Sequence, residues 1–196
     1  MAISSLNIRR ILLKNNTRVF SARELGELLS LSPRQSLYYL EKGLKESLFY
    51  QLKRGLYSLR SDPPSELEIA NRLYRPSYVS FEYALAYYNL IPEMVYKVTS
   101  ATTKTTREFV TDDKTYSYST IKPVAYTGYE LKVIDEKRFL MAEAEKAAVD
   151  YLYLVSLNKR AWLERLDLSS VNKNKVKFYA GLFGKKSLDK LIKKYA

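Results

Sequence analysis

Apolar positions in the first sixty residues recur at helical spacing three times and then shorten into two strand-like runs. Ile8, Ile11 and Leu12 predict a helix over residues 4–15, closed by Asn15-Asn16, with Thr17–Phe20 extended after it. Ser21 stands three before Glu24, a capping box, and Ala22, Leu25, Leu28 and Leu29 form the stripe of a second helix of about two turns. Leu31 fills the tight turn that follows. Ser32-Pro33 then opens a third helix, with Ser as N-cap and Pro at its first position. Leu37, Leu40, Leu44 and Leu48 lie at spacings of three and four, which predicts an inward leucine face. Phe49–Leu52 and Leu56–Leu59 flank Lys53-Arg54-Gly55 as a hairpin. This order of elements is that of a winged helix-turn-helix.

Asp62-Pro63-Pro64-Ser65 interrupts every pattern and predicts a boundary, since paired prolines continue neither a strand nor a helix interior. The expected parts are residues 1–61 and residues 65–196. In the second part Glu66–Leu73 and Phe81–Leu90 predict helices, and residues 96–141 are strand-rich, with Asp112-Asp113-Lys114 and Asp135-Glu136-Lys137 as hairpin turns. Ala144, Ala147, Ala148, Tyr151, Leu152 and Val155 predict an amphipathic helix, and the last forty residues add one or two basic helices. The fold class expected is α+β, a winged helix-turn-helix followed by mixed helices and sheet.

Composition narrows the chemistry. The 196-residue chain is 46% apolar and has neither Cys nor His. Disulfides, thiol catalysis, Ser-His-Asp triads and the usual His/Cys zinc sites are excluded by alphabet alone. No apolar run approaches a membrane span and no signal peptide is evident, so no membrane partner is expected and a cytoplasmic location is. Glycines are too scattered for a phosphate loop. No enzyme activity, no cofactor and no metal are expected.

The net charge of +12 is uneven: +7 over residues 1–60, −3 over 61–157 and +8 over 158–196. Two basic ends point to a polyanion. On the third helix the face opposite the leucines carries Gln35, Tyr38, Tyr39 and Lys42, with Arg34 and Lys45 at its edge. Arg pairs bidentately with guanine and Gln with adenine, and Tyr bonds a phosphate or lies on a thymine methyl. The expected DNA-binding residues are Arg23, Ser32, Arg34, Gln35, Tyr38, Tyr39, Lys42, Lys53 and Arg54, with Lys53-Arg54 as the wing tip and Arg9, Arg10 and Arg18 as further backbone contacts. Neutralising about six phosphates gives a slope of log affinity on log salt near −5.

Several stretches resemble the AbiEi antitoxin family of type IV toxin–antitoxin systems. They are Ser21–Leu25 with Arg54–Leu59, Arg75–Leu85, Asn89–Pro92 followed by Val98-Thr99, and above all Ala142–Asp150. The resemblance spans about residues 5–190. It implies a winged helix that binds inverted repeats in its own promoter and represses the operon. It also implies a second domain that opposes a nucleotidyltransferase-like toxin without requiring stable contact.

Other readings stay open. Glu143, Glu145, Lys146 and Asp150 have the residue types of a metal-dependent nuclease, but acid and Lys are adjacent and on a helix, where helix-end charge and i,i+4 pairing account for them. Lys173, Lys175, Lys177, Lys185, Lys186 and Lys190, followed by Lys193 and Lys194, form a basic C-terminus that is a second nucleic-acid surface, a partner surface or a solvated face. The expected function is therefore an autorepressor and type IV antitoxin. The alternative is a winged-helix module that sequesters a protein or RNA through its basic C-terminus, with no toxin partner.

Overall fold

The computed structural model describes residues 3–111 and 114–195, with side chains as far as Lys193. The chain is of the α+β class. Its first part runs α1 (Ser5–Lys14), β1 (Val19–Phe20), α2 (Ala22–Leu29), α3 (Pro33–Lys45), β2 (Phe49–Lys53) and β3 (Leu56–Leu59). The caps expected from Ser21 and Ser32 are both present, each with its reciprocal partner at the third helical residue, Glu24 and Gln35. β3 is the central strand of a three-stranded antiparallel sheet, with β1 on one side and β2 on the other. Gly55 turns the β2–β3 hairpin at φ +79°, a conformation glycine adopts without steric cost. Ile8, Leu12, Phe20, Leu25, Leu40 and Phe49 fill the core of this part.

The second part begins with α4 (Glu66–Leu73), whose Ser65/Glu68 capping box starts the helix directly after the two prolines. It continues through β4 (Ser77–Val79), α5 (Phe81–Tyr87), β5 (Val98–Thr102), β6 (Arg107–Val110), β7 (Thr115–Thr120), β8 (Tyr129–Ile134), β9 (Lys137–Ala142), α6 (Ala144–Ser156), α7 (Lys173–Phe183) and α8 (Lys186–Tyr195). Six strands form a mixed sheet in the order β6-β7-β5-β4-β9-β8. Of the hairpin turn expected at Asp112-Asp113-Lys114, the two aspartates lie outside the described residues. The turn at Asp135-Glu136 holds both residues at positive φ, the geometry of a tight two-residue hairpin.

Val79, Ser100 and Tyr118 are aligned in register and face one way, while Tyr78, Ala101 and Ser119 face the other. Tyr118 donates its hydroxyl to Ala70 O of α4 at 2.6 Å, and Tyr78 donates to Asp150 of α6 at 2.8 Å. The sheet therefore carries α4 on one face and α6 on the other. Large buried tyrosines fill both layers with their hydroxyls satisfied, Tyr151 on Ala161 O included.

Three sequence expectations change. The short central strand β4 falls in a stretch that carries no alternating pattern long enough to reveal it. The leucine face of α3 holds in part: Leu40 is buried and Leu44 and Leu48 pack half-buried on the core, but Leu37 is 52% exposed, and Ser36, Tyr39 and Gly43 join Leu40 in the buried face. α6 is not amphipathic in effect, because Lys146 to Leu154 are all buried among α5, α7, α8 and β9.

Candidate nucleic-acid interface

The N-terminal half of α3 presents an exposed surface of hydrogen-bonding side chains. Arg34, Gln35, Leu37, Tyr38 and Glu41 are exposed, and Tyr38 stands 60% free. What orients this face is the close approach of α2. A Cβ built on Gly26 would overlap Ser36 Oγ, and one built on Gly43 would overlap the Phe49 ring. α3 thus packs through small residues, and its phase is set by them rather than by its leucines.

Each expected residue has a definite place. Ser32 caps α3, and Gln35 Oε1 accepts from the Ser32 amide and hydroxyl, both at 3.0 Å. The Gln35 carbonyl is thereby committed to the cap, and its amide NH₂ keeps its donors. Arg34 is exposed with no ion pair among the described residues, and Lys42 lies 3.8 Å from Glu46. Arg23 is exposed on α2 and pairs with Glu27 at 2.7 Å. Arg54 is exposed at the hairpin tip.

Three expected contacts are corrected. Tyr39 is 8% exposed: its ring packs edge-on to Tyr38 and its hydroxyl accepts from the Ile3 amide at 2.8 Å, so it belongs to the core. Lys53 turns inward. Its ammonium donates to Leu73 O and lies 4.9 Å from the centre of the Phe109 ring. Burial, and then the cations Arg107 and Lys104, hold it below the ordinary lysine value. Arg18 is likewise withdrawn, 6% exposed, pairing with Asp62 at 2.8 Å and donating to Glu136 O at 3.1 Å.

Glu41 was not anticipated. It lies on the turn of α3 above Arg34 and Tyr38, and a carboxylate there repels phosphate while accepting from a cytosine amino group. The signal available in the sequence was the Gly26, Ser36 and Gly43 set, which fixes the helix phase and so the exposed face.

At the other basic end, Lys173, Lys177, Lys186, Lys190 and Lys193 are exposed and Lys185 is half-buried. Lys175 pairs with Glu143 at 2.7 Å, and this pairing raises it above the ordinary lysine value. The side chain of Lys194 lies outside the described residues. Phe178, also on α7, is 63% exposed.

The acidic-basic cluster near residue 146 does not form a metal centre. Lys146 and Asp150 are fully buried and ion-paired to each other, with Tyr78 and Ser80 donating to Asp150 Oδ2 at 2.8 and 2.9 Å. Glu143 faces Lys175 and Tyr179 instead. Among the described residues no group of three or more carboxylates gathers as metal ligands, and no helix is long and apolar enough to cross a membrane. Neither a family model nor a curated protein matches the chain.

Proposed function

We propose that the chain binds duplex DNA through residues 3–61 as a winged helix-turn-helix, with α3 as the reading helix. The observation that carries this is the exposed Arg34, Gln35 and Tyr38 face of α3, with half-buried Lys42 at its edge, and a hairpin tipped by exposed Arg54. The element order supports it, as does the close seating of α2 on α3 through Gly26. Arg34 and the free donors of Gln35 read base edges, while Lys42, Arg54 and Arg23 contact phosphates.

On this reading the protein is a DNA-binding autorepressor. The resemblance to AbiEi antitoxins extends it to the antitoxin of a type IV system that opposes a nucleotidyltransferase-like toxin. The test is a gel shift with DNA from upstream of its own gene. Arg34→Ala plus Gln35→Ala is expected to abolish specific binding with an unchanged circular dichroism spectrum, and unchanged binding overturns the assignment. With Arg18 and Lys53 turned inward, about four phosphate contacts remain, so the salt slope is expected near −3.6 rather than −5. Co-expression with a neighbouring toxin gene tests the antitoxin half. Rescue of growth by residues 62–196 supplied within the full chain carrying the α3 substitutions separates that role from repression.

A second reading rests on the C-terminal surface. Phe178 is exposed on α7, which also carries exposed Lys173 and Lys177, an aromatic and basic helix surface suited to an acidic protein or RNA partner. Retained function in the absence of any DNA binding favours it.

A further inference from the structure

A cleft of about 950 Å³ opens between the two parts of the chain, lined by α2, by α4 and the turn after it, and by β8 and β9. Its size is in the range of small-molecule sites. Its apolar lining includes Leu28, Tyr126, Tyr129 and Leu131, and its charged lining Arg18, Arg72, Arg75 and Arg138 with Glu24, Glu27 and Glu68. By the β8–β9 register Arg138 shares a sheet face with Tyr129 and Leu131.

Pairing off the charges leaves a remainder of one sign. Arg18 is held by Asp62, and Glu68 lies 3.7 Å from it. Glu68 also accepts the Ser65 and Arg138 amides. Arg72 holds Glu24 at 2.5 Å, and Glu27 is taken by Arg23. Arg75 keeps only a marginal contact to Glu24 at 3.9 Å, and the Arg138 guanidinium has no carboxylate partner among the described residues. Burial, then the neighbouring Arg72, pulls Arg75 below the ordinary arginine value, as a cation without a full counter-charge requires. At the wall, Ser77 Oγ and Arg72 Nε are buried with no hydrogen-bond partner among the described residues, a deficit that folded proteins rarely leave unused.

We infer that this cleft binds a small organic anion, its phosphate or carboxylate on Arg75 and Arg138 and its flat, apolar body against Tyr126, Tyr129 and Leu131. Two guanidinium forks grip an oxyanion bidentately, which a lysine pair would not. The tyrosine wall is preset, because Tyr129 stacks on the buried Tyr78 ring at 4.6 Å between centroids. Such a ligand touches both parts of the chain at once, α2 from the first and β8–β9 from the second. The inference does not depend on DNA binding.

Calorimetric titration of the full chain tests it, with adenosine monophosphate, salicylate, inorganic phosphate and adenosine as separate probes. At least one of the two aromatic anions is expected to bind at about millimolar concentration or below. Which of them binds tells phosphate from carboxylate as the natural head group. Inorganic phosphate and adenosine alone are expected to bind at least about tenfold more weakly, since each offers half of the contacts. Arg75→Ala plus Arg138→Ala removes two exposed side chains and is expected to weaken the aromatic anion by about tenfold or more, with the unfolding midpoint unchanged. Tyr129→Leu is expected to weaken it while leaving phosphate unaffected. Absence of binding by both aromatic anions, or binding unaltered in the double arginine variant, overturns the proposal. Phosphate binding as tightly as adenosine monophosphate overturns the role of the tyrosine wall.

Discussion

Removing water from Lys146 and Asp150 is tolerable only while both stay charged and paired. Burial pushes the Lys146 ammonium down and the Asp150 carboxyl up, and the attraction between them opposes both shifts. Asp150 Oδ1 meets Lys146 and Oδ2 takes the Tyr78 and Ser80 hydroxyls, so the carboxylate is fully engaged. Lys146→Met strands that carboxylate in the core and is expected to cost about 3–5 kcal/mol in urea unfolding. Replacing both, Lys146→Met with Asp150→Leu, is expected to recover only part of the loss, because it removes the stranded charge but leaves the buried Tyr78 and Ser80 hydroxyls without their acceptor. A single variant within about 1 kcal/mol of the parent would show that the pair does not hold the core together. The i,i+4 spacing of Lys146 and Asp150 is plain in the sequence. Their burial is not, because it follows from Tyr78 of β4, Ser80 just after it and Phe183 of α7 closing over a face that the pattern alone leaves to solvent.

α3 shows how an element can be legible in extent and misread in phase. Ser32-Pro33 fixes its start to the residue, and its length follows from the absence of a breaker before Ser47. The phase was hidden because four leucines at spacings of three and four outweigh one serine and one glycine in any apolar count. Steric fit decides otherwise. α2 comes so close at Gly26 that only Ser36 fits beneath it, and Phe49 occupies the space above Gly43. That rotation buries Tyr39 and turns Leu37 out, so the reading face gains Leu37 and Glu41 and loses Tyr39. Leu40→Ala is expected to cost about 2–5 kcal/mol, as for any well-packed core leucine. Leu37→Ala is expected to change stability by no more than about 0.5 kcal/mol. Equal losses in the two variants, measured by urea unfolding, would restore the leucine face that spacing alone predicts. By contrast α4, β8 and the β8–β9 turn were legible to within a residue, because caps, alternation and turn residues agree there.

At the scale of the molecule, part of the basic excess of the first sixty residues is spent internally. Arg18 is bound to Asp62 and Glu136 O, and Lys53 to Leu73 O, so neither is available to a polyanion. Such pairings lie 20 to 118 residues apart in sequence, beyond the reach of any local pattern. The Arg72–Glu24 bridge joins α4 to the first turn of α2, and its strength depends on pH. Burial pushes the Glu24 carboxyl up, but the bonds from Arg72 and from Ser21 together outweigh it and hold the group below its ordinary value. A carboxyl lowered by folding gives stability that is complete above its unfolded pKa of about 4.3 and is lost as pH falls through the lower folded value. Glu24 is 35% exposed, so solvent screens the bridge and the loss is modest. Glu24→Gln isolates the charge, because Gln serves equally well in the capping box with Ser21. The variant is expected to be less stable than the parent near pH 6, and the gap between their urea midpoints is expected to narrow as pH falls through the lowered folded value of Glu24 and to close once the parent carboxyl is itself neutral. A gap that stays constant across that range would mean that packing, and not the charge of Glu24, joins the two parts at this point.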